Sequence, residues 1–175
     1  MLTAHVENLS ERLEELKPLF PLHWEELALN KDKVPLDPQY HVYLQRDARG
    51  EVIFVTLRDA GELVGYFVGF VAPGLHYQTC LTCHMDILFL RPDKRGGRGG
   101  VILLKAVKTE LKRRGVQRWF VGTKVHMDIS PLFQALGFEP VEKTYSMWLG
   151  EPEPTAAEGP DEDPAVWPIP ASKEN

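Results

Sequence analysis

Apolar positions change period near residue 50. Before it, Leu9, Leu13 and Leu16 recur at helical spacing behind Ser10 and the acids Glu11, Glu14 and Glu15, which predicts a first helix ending near Pro18. A second short helix begins around Pro21 and carries Trp24, Leu27 and Ala28; a third has Asp37 as its cap, Pro38 at its first position and Gly50 past its end. After it, "EVIFVTLRD" and "ELVGYFVGFV" are runs of β-branched and aromatic residues separated by "AG", the signature of a hairpin. Pro73-Gly74 then turns the chain into a long strand from Tyr77 to Leu90. Over residues 101–114 the helical period returns, with Leu103, Leu104, Val107 and Leu111 on one face, Lys105, Lys108 and Lys112 off it, and Arg113, Arg114 and Gly115 forming a good helix stop. A strand at 118–125, a short helix at 130–136 and a last strand at 141–149 complete an α+β order with a mixed sheet.

Composition adds a boundary. The chain has 175 residues, 43% of them apolar, enough for one core. Its formal charge of -5 comes from the end, where Glu151, Glu153, Glu158, Asp161, Glu162, Asp163 and Glu174 face Lys173 alone, so the remaining body carries 19 basic and 18 acidic side chains. Acidic, Pro-rich and without periodicity, residues 151–175 read as a disordered extension to a domain of residues 1–150. No run approaches the roughly 18 apolar residues of a membrane span, and the N-terminus has a charged amphipathic pattern, so the expected location is cytoplasmic. Two cysteines in such a setting are expected to be reduced thiols.

The chemistry concentrates in "RPDKRGGRGGVILLKAV", residues 91–107. The first N–H groups of a helix lack internal partners and sit at its positive end, so an anion fits there. Gly96, Gly97, Gly99 and Gly100 allow close approach, and Lys94, Arg95 and Arg98 add charge, a combination suited to a pyrophosphate. The loop lacks the Gly-Lys-Ser/Thr ending of a P-loop and the strand context and distal acid of a dinucleotide fingerprint. A solvated basic turn is the bland alternative. A grip on nucleic acid is another, since residues 91–118 hold ten cations and two acids, but the acidic tail competes with it and no stacking aromatics interleave.

"MDILFLRPDKRGGRGGVILLKAV" resembles the acetyl-CoA motif of the GCN5-related N-acetyltransferase family, with its acid-bearing strand, Pro, Arg-Gly loop and "LL" in the next helix. "SPLFQALGFEPVEKTYSMWL" is similar to the family's closing helix, "LGF" turn and final strand, and "ELVGYFVGFV" to its third strand. The resemblance spans about residues 2–150, and its style is similar to short members encoded by bacteriophages. It implies a mostly antiparallel sheet in α/β/α layers, acetyl-CoA as cosubstrate without a metal, and a coenzyme site of Leu88, Phe89, Leu90, Lys94, Arg95, Gly96, Gly97, Arg98, Gly99 and Gly100. One departure is Arg98, which stands where the loop usually has its central glycine.

The resemblance also implies that the long strand bulges near Leu88 and splays from the fifth, leaving main-chain groups for pantetheine, with the N–H of Phe89 or Leu90 as oxyanion donor. Asp86 is the candidate general base, placed by alternation on the face of Leu88 and Leu90; a structural carboxylate bonded to a neighbour is the equal alternative. Phe133 occupies the usual place of a tyrosine acid, so His126 and Tyr145 are the candidates for protonating the leaving thiolate, with water as the other source. Trp24, Glu25, Tyr40, His76, Tyr77 and Tyr145 are candidates to line the acceptor pocket. "CLTCH" matches a haem-attachment pattern, yet Cys80 and Cys83 would point to opposite faces of a strand, which disfavours haem and zinc. The expected activity is acyl-CoA-dependent N-acylation of a primary amine, on a small molecule or a protein lysine, by direct attack in a ternary complex, in a monomer or homodimer. The rival is a coenzyme-binding or protein-binding module without chemistry.

Overall fold

A computed structural model describes residues 1–150. Five strands form one sheet in chain order: β1 (Leu2–Val6), β2 (Val52–Asp59), β3 (Glu62–Gly74), β4 (Tyr77–Leu90) and β5 (Arg118–Phe120). The first four pair antiparallel; β5 runs parallel to β4. Helices α1 (Leu9–Leu16), α2 (Phe20–Leu27) and α3 (Tyr40–Ala48) cover one face, and α4 (Gly99–Arg113) and α5 (Ser130–Ala135) the other. The sheet is therefore mixed, mostly antiparallel and flanked by helices, as expected. Met1–Val141 forms one compact unit, and a second begins at Glu142.

The sheet's centre explains its apolar runs. Val52 to Leu57 of β2 are all buried because both faces are covered, α1 and α3 on one side and α4 on the other. The β2–β3 turn holds Ala60 at φ 50° and Gly61 at φ 90°, the positive pair that a two-residue hairpin with right-handed twist requires. On α4, Leu103, Leu104, Val107 and Leu111 enter the core, and Gly115 at φ 75° ends the helix.

Four elements differ from expectation. Helix α3 begins at Tyr40 behind Gln39, so Asp37 is not its cap and Pro38 is not its first residue. Leu2–Val6 is a strand, unread in the sequence because five residues leading directly into a helix are too short to show a period of two. The fifth strand stops at Phe120. No strand forms among residues 142–150, where Tyr145, Met147 and Leu149 alternate as in a strand but are exposed; a ladder needs a partner edge, and β5 offers only three residues. The tail from residue 151 lies outside the described residues.

Buried polar groups are few. Glu110 on α4 accepts hydrogen bonds from Arg113 and Arg114, while Arg114 also donates to the Val52 carbonyl at 2.6 Å. The Arg113 hydrogen bond, then that of Arg114, holds the Glu110 carboxyl down to about 2 against an ordinary 4.5. A carboxyl depressed in the fold contributes stability above its unfolded pKa and loses it as pH falls toward the folded one. Thermal melts of Glu110→Gln against wild type should accordingly show a stability gap near neutrality that closes by about pH 2.

Candidate functional site

An uncovered sheet edge is made by β4. Its pairing with β3 runs Val68↔Ile87 and then Gly69↔Met85, so Asp86 is an extra residue opposite nothing, a β-bulge. The family resemblance implied a bulge near Leu88; it lies two residues earlier. The consequence is a break in alternation: Asp86 and Ile87 both turn to the α1–α3 face, where Asp86 accepts a hydrogen bond from Tyr43 of α3 at 2.5 Å, while Leu88 and Leu90 face α4. Asp86 is thus on the opposite face from Leu88 and Leu90, contrary to strict alternation. Burial raises its carboxyl above the ordinary 3.8, opposed by the Tyr43 bond and by the charge of Arg46. The residue is nonetheless exposed to solvent.

Beyond the bulge β4 loses its outer neighbour. Parallel pairing with β5 covers Thr82↔Arg118, Cys83↔Trp119 and His84↔Phe120 and goes no further. The Arg91 N–H donates to Val64 of β3 at 2.9 Å, so period-two alternation turns the N–H of Phe89 to β3 as well and aims those of Leu88 and Leu90 at the open edge. Leu90, not Phe89, is therefore the outward donor of the expected pair, joined by Leu88. Phe89 instead puts its ring in the core beside Tyr66 at 5.7 Å.

The open edge runs into the loop. A 3-10 turn at Pro92–Lys94 precedes extended Arg95, Gly96 at φ 74° and Arg98 at the cap of α4. The first helical bond is Ile102 N–H to Arg98 O, at 2.9 Å, so the N–H groups of Gly99, Gly100 and Val101 face the mouth. The four glycines do different things. A Cβ on Gly96 or Gly97 meets nothing within 4 Å, whereas on Gly99 it lies 3.0 Å from Leu90 and on Gly100 2.9 Å from Leu132, so those two permit packing. Arg98, at φ -84°, needs no glycine and is exposed.

Two loop cations point inward. Lys94 pairs with Asp59 at 3.0 Å. Arg95 donates from Nε to the Leu90 carbonyl at 2.8 Å, pairs with Glu26 of α2, and lies over the Phe89 ring at 5.8 Å. Glu26 and its neighbour His23 carried no signal in the sequence beyond their helix. The His23 ring lies 5.4 Å from Phe89, and burial drives its pKa down to about 4, so the imidazole is neutral.

His126 reaches this cluster, with Nε2 3.1 Å from the Glu26 carbonyl. A carbonyl only accepts, so Nε2 donates in this contact and its proton is held on the Glu26 carbonyl. Phe133 is buried in the α4-side core. Tyr145, 87% exposed, belongs to the segment without a strand, so nothing aims it as the expected strand would. Trp24 and Glu25 line a cleft of about 390 Å³ with Lys31 and Asp32, while Tyr40 stacks on Phe20 and His76 and Tyr77 sit at the far end of β4. Cys83 is buried against α4, its thiol pushed up to about 12 by burial, and Cys80 turns to Thr82 on the other face; among the described residues no group of three His, Cys, Asp or Glu converges.

A family model described as "Acetyltransferase (GNAT) family" matches residues 16–138, from α1 through the loop and α5. The chain belongs to the GNAT acetyltransferase family. No curated protein matches it. Solved GNAT-like structures do so in fold: a ribosomal-protein-alanine N-acetyltransferase from Brucella melitensis biovar Abortus (TM-score 0.64, 14% identity, 86% of this chain and 100% of that one). An aminoglycoside acetyltransferase from an uncultured soil metagenomic sample gives 0.66 at 15% identity, over 86% and 99%. A predicted acetyltransferase from Clostridium acetobutylicum, solved with acetyl-CoA, gives 0.65 at 12%, over 85% and 97%.

Proposed function

We propose that this GNAT protein transfers an acyl group, acetyl by preference, from its CoA thioester to a primary amine by direct attack in a ternary complex. The observation that carries the reading is the uncovered edge of β4 leading from the Asp86 bulge into the bare mouth of α4. Main-chain groups of Leu88 and Leu90 suit the amides of pantetheine, which would lie there as a strand does. The N–H groups of Gly99, Gly100 and Val101, with Arg98 beside them, suit the diphosphate.

The amine must be neutral to attack, whereas a lysine-type amine is mostly protonated near pH 7. Asp86 takes that proton first, directly or through one water, which frees the lone pair that bonds to the thioester carbon; the nitrogen sheds its second proton to water as the intermediate collapses. The N–H of Leu88 or Leu90 holds the developing oxyanion. When the carbon–sulfur bond breaks, the thiolate takes a proton from water, since Phe133 has none and His126 is committed to the Glu26 carbonyl. Two of the GNAT-like structures above are named for acceptors as different as ribosomal-protein alanine and aminoglycosides, and the first is an N-acetyltransferase, which supports an amine as the acceptor here.

The assay is acetyl-CoA with a panel of amines, following free thiol; release only in the presence of particular amines is expected. The rival reading, a coenzyme-binding module without chemistry, is favoured by Phe133 and predicts binding with no thiol release across the panel. Calorimetry with coenzyme A checks the mouth itself: Arg98→Ala should weaken binding about tenfold, as loss of one charge-assisted hydrogen bond does.

A further inference from the structure

Arg95 occupies the open edge. Its Nε is on the Leu90 carbonyl, an acceptor on the side of β4 that β5 leaves uncovered, and its other end is on the Glu26 carboxylate. One guanidinium thus bridges the coenzyme strand and α2. Glu26 is mostly enclosed, its side chain 23% exposed, with His23 neutral beside it and His126 tying its backbone to the loop after β5. A carboxylate and a strand carbonyl one guanidinium apart form a cation site with two acceptors, and at present the protein's own cation fills it.

We propose that Glu26 is the carboxylate that receives the acceptor's ammonium group, and that Arg95 holds this subsite shut until the coenzyme takes the Leu90 carbonyl and displaces it. The inference rests on the transferase reading. A pantetheine amide N–H and the Arg95 Nε–H compete for the same carbonyl oxygen. Once the coenzyme wins, the guanidinium leaves, and Glu26 is exposed as an uncompensated carboxylate next to the thioester. It then attracts a cationic amine from solution, and the amine passes its proton on before it attacks. An acceptor with a primary ammonium group is selected over a neutral one of the same shape.

The sign of one measurement decides the matter. Coenzyme A is an anion, so removal of a nearby cation weakens its binding by ordinary electrostatics. Removal of a latch strengthens it, because the competent state no longer has to be bought by breaking two bonds. Calorimetry with coenzyme A should show Arg95→Ala binding about threefold to tenfold tighter than wild type. Arg95→Ala/Glu26→Gln should match Arg95→Ala, since the latch is already gone. In the thiol assay Glu26→Gln should raise the KM of the best amine of the panel at least tenfold. Weaker or unchanged coenzyme binding by Arg95→Ala overturns the latch, and an unchanged amine KM overturns the role of Glu26. If the wild type binds no coenzyme A, the transferase reading fails first, a result distinct from either.

Discussion

Asp86→Asn should lower turnover by about a hundredfold to ten-thousandfold, the range that general bases supply, while leaving a folded protein that binds coenzyme A. The bulge that turns Asp86 toward Tyr43 also puts it beside the uncovered edge of β4, and burial raises its carboxyl above 3.8 even though Tyr43 and Arg46 pull it down. A carboxylate raised toward working pH is a better proton acceptor than an ordinary one. Activity should rise with pH as Asp86 ionises and as the amine loses its own proton; in Asp86→Asn only the second remains. Tyr43→Phe removes a hydrogen bond that favours the charged form, so the acid limb of the pH–rate profile should move up. Stability moves the other way from activity. A folded pKa above the unfolded value means that stability is greatest below about the unfolded pKa and declines as pH rises through the folded one. At neutral pH charged Asp86 therefore works against the fold, and Asp86→Asn should melt at or above the wild-type temperature. A variant that keeps its turnover and its acid limb leaves Asp86 a structural carboxylate held by Tyr43.

The sheet's centre was legible because β2 and β3 bury both faces and their turn, Ala60-Gly61, has a chemistry of its own. The amphipathic stripe of α4 and its Gly115 stop were legible for the same reason, that the signal is local. The bulge at Asp86 was not, since a bulge is a relation between two strands and only the pairing with β3 reveals it. With it went the side of the sheet on which Asp86 lies and the partner, Tyr43, contributed by a helix more than forty residues earlier. Composition correctly marked the loop as basic, but charge in a sequence has no direction: Lys94 and Arg95 pair with Asp59 and Glu26, and Arg98 alone of the three makes no ion pair among the described residues. Tyr145 was read as part of a last strand like the family's; its segment does alternate, yet alternation makes a strand only when an edge is there to pair with it.

Gly65→Ala should cost about 1–3 kcal/mol of stability, the usual range for overpacking, and should lower turnover with it. Gly65 on β3 lies opposite Leu90, and a Cβ built there comes within 2.8 Å of both the Phe89 carbonyl oxygen and Leu90 Cδ1. A side chain can give way; the Phe89 carbonyl belongs to the β3–β4 ladder and cannot move without taking β4 along. From the other side a Cβ built on Gly99 of α4 would lie 3.0 Å from the same leucine, so two glycines form the seat that fixes Leu90 and hence the direction of its main-chain N–H. Displacement of β4 by a few tenths of an ångström therefore acts on the fold and on the oxyanion donor together. Gly97→Ala is the control, because a Cβ there meets nothing within 4 Å and its backbone is not in the positive-φ region. Thermal melts should show Gly97→Ala close to wild type and Gly65→Ala several degrees lower, with a larger loss in kcat than in coenzyme affinity. Equal melting of the two variants would mean that β4 has slack at Leu90, and the tight seat could not then be what orients the edge.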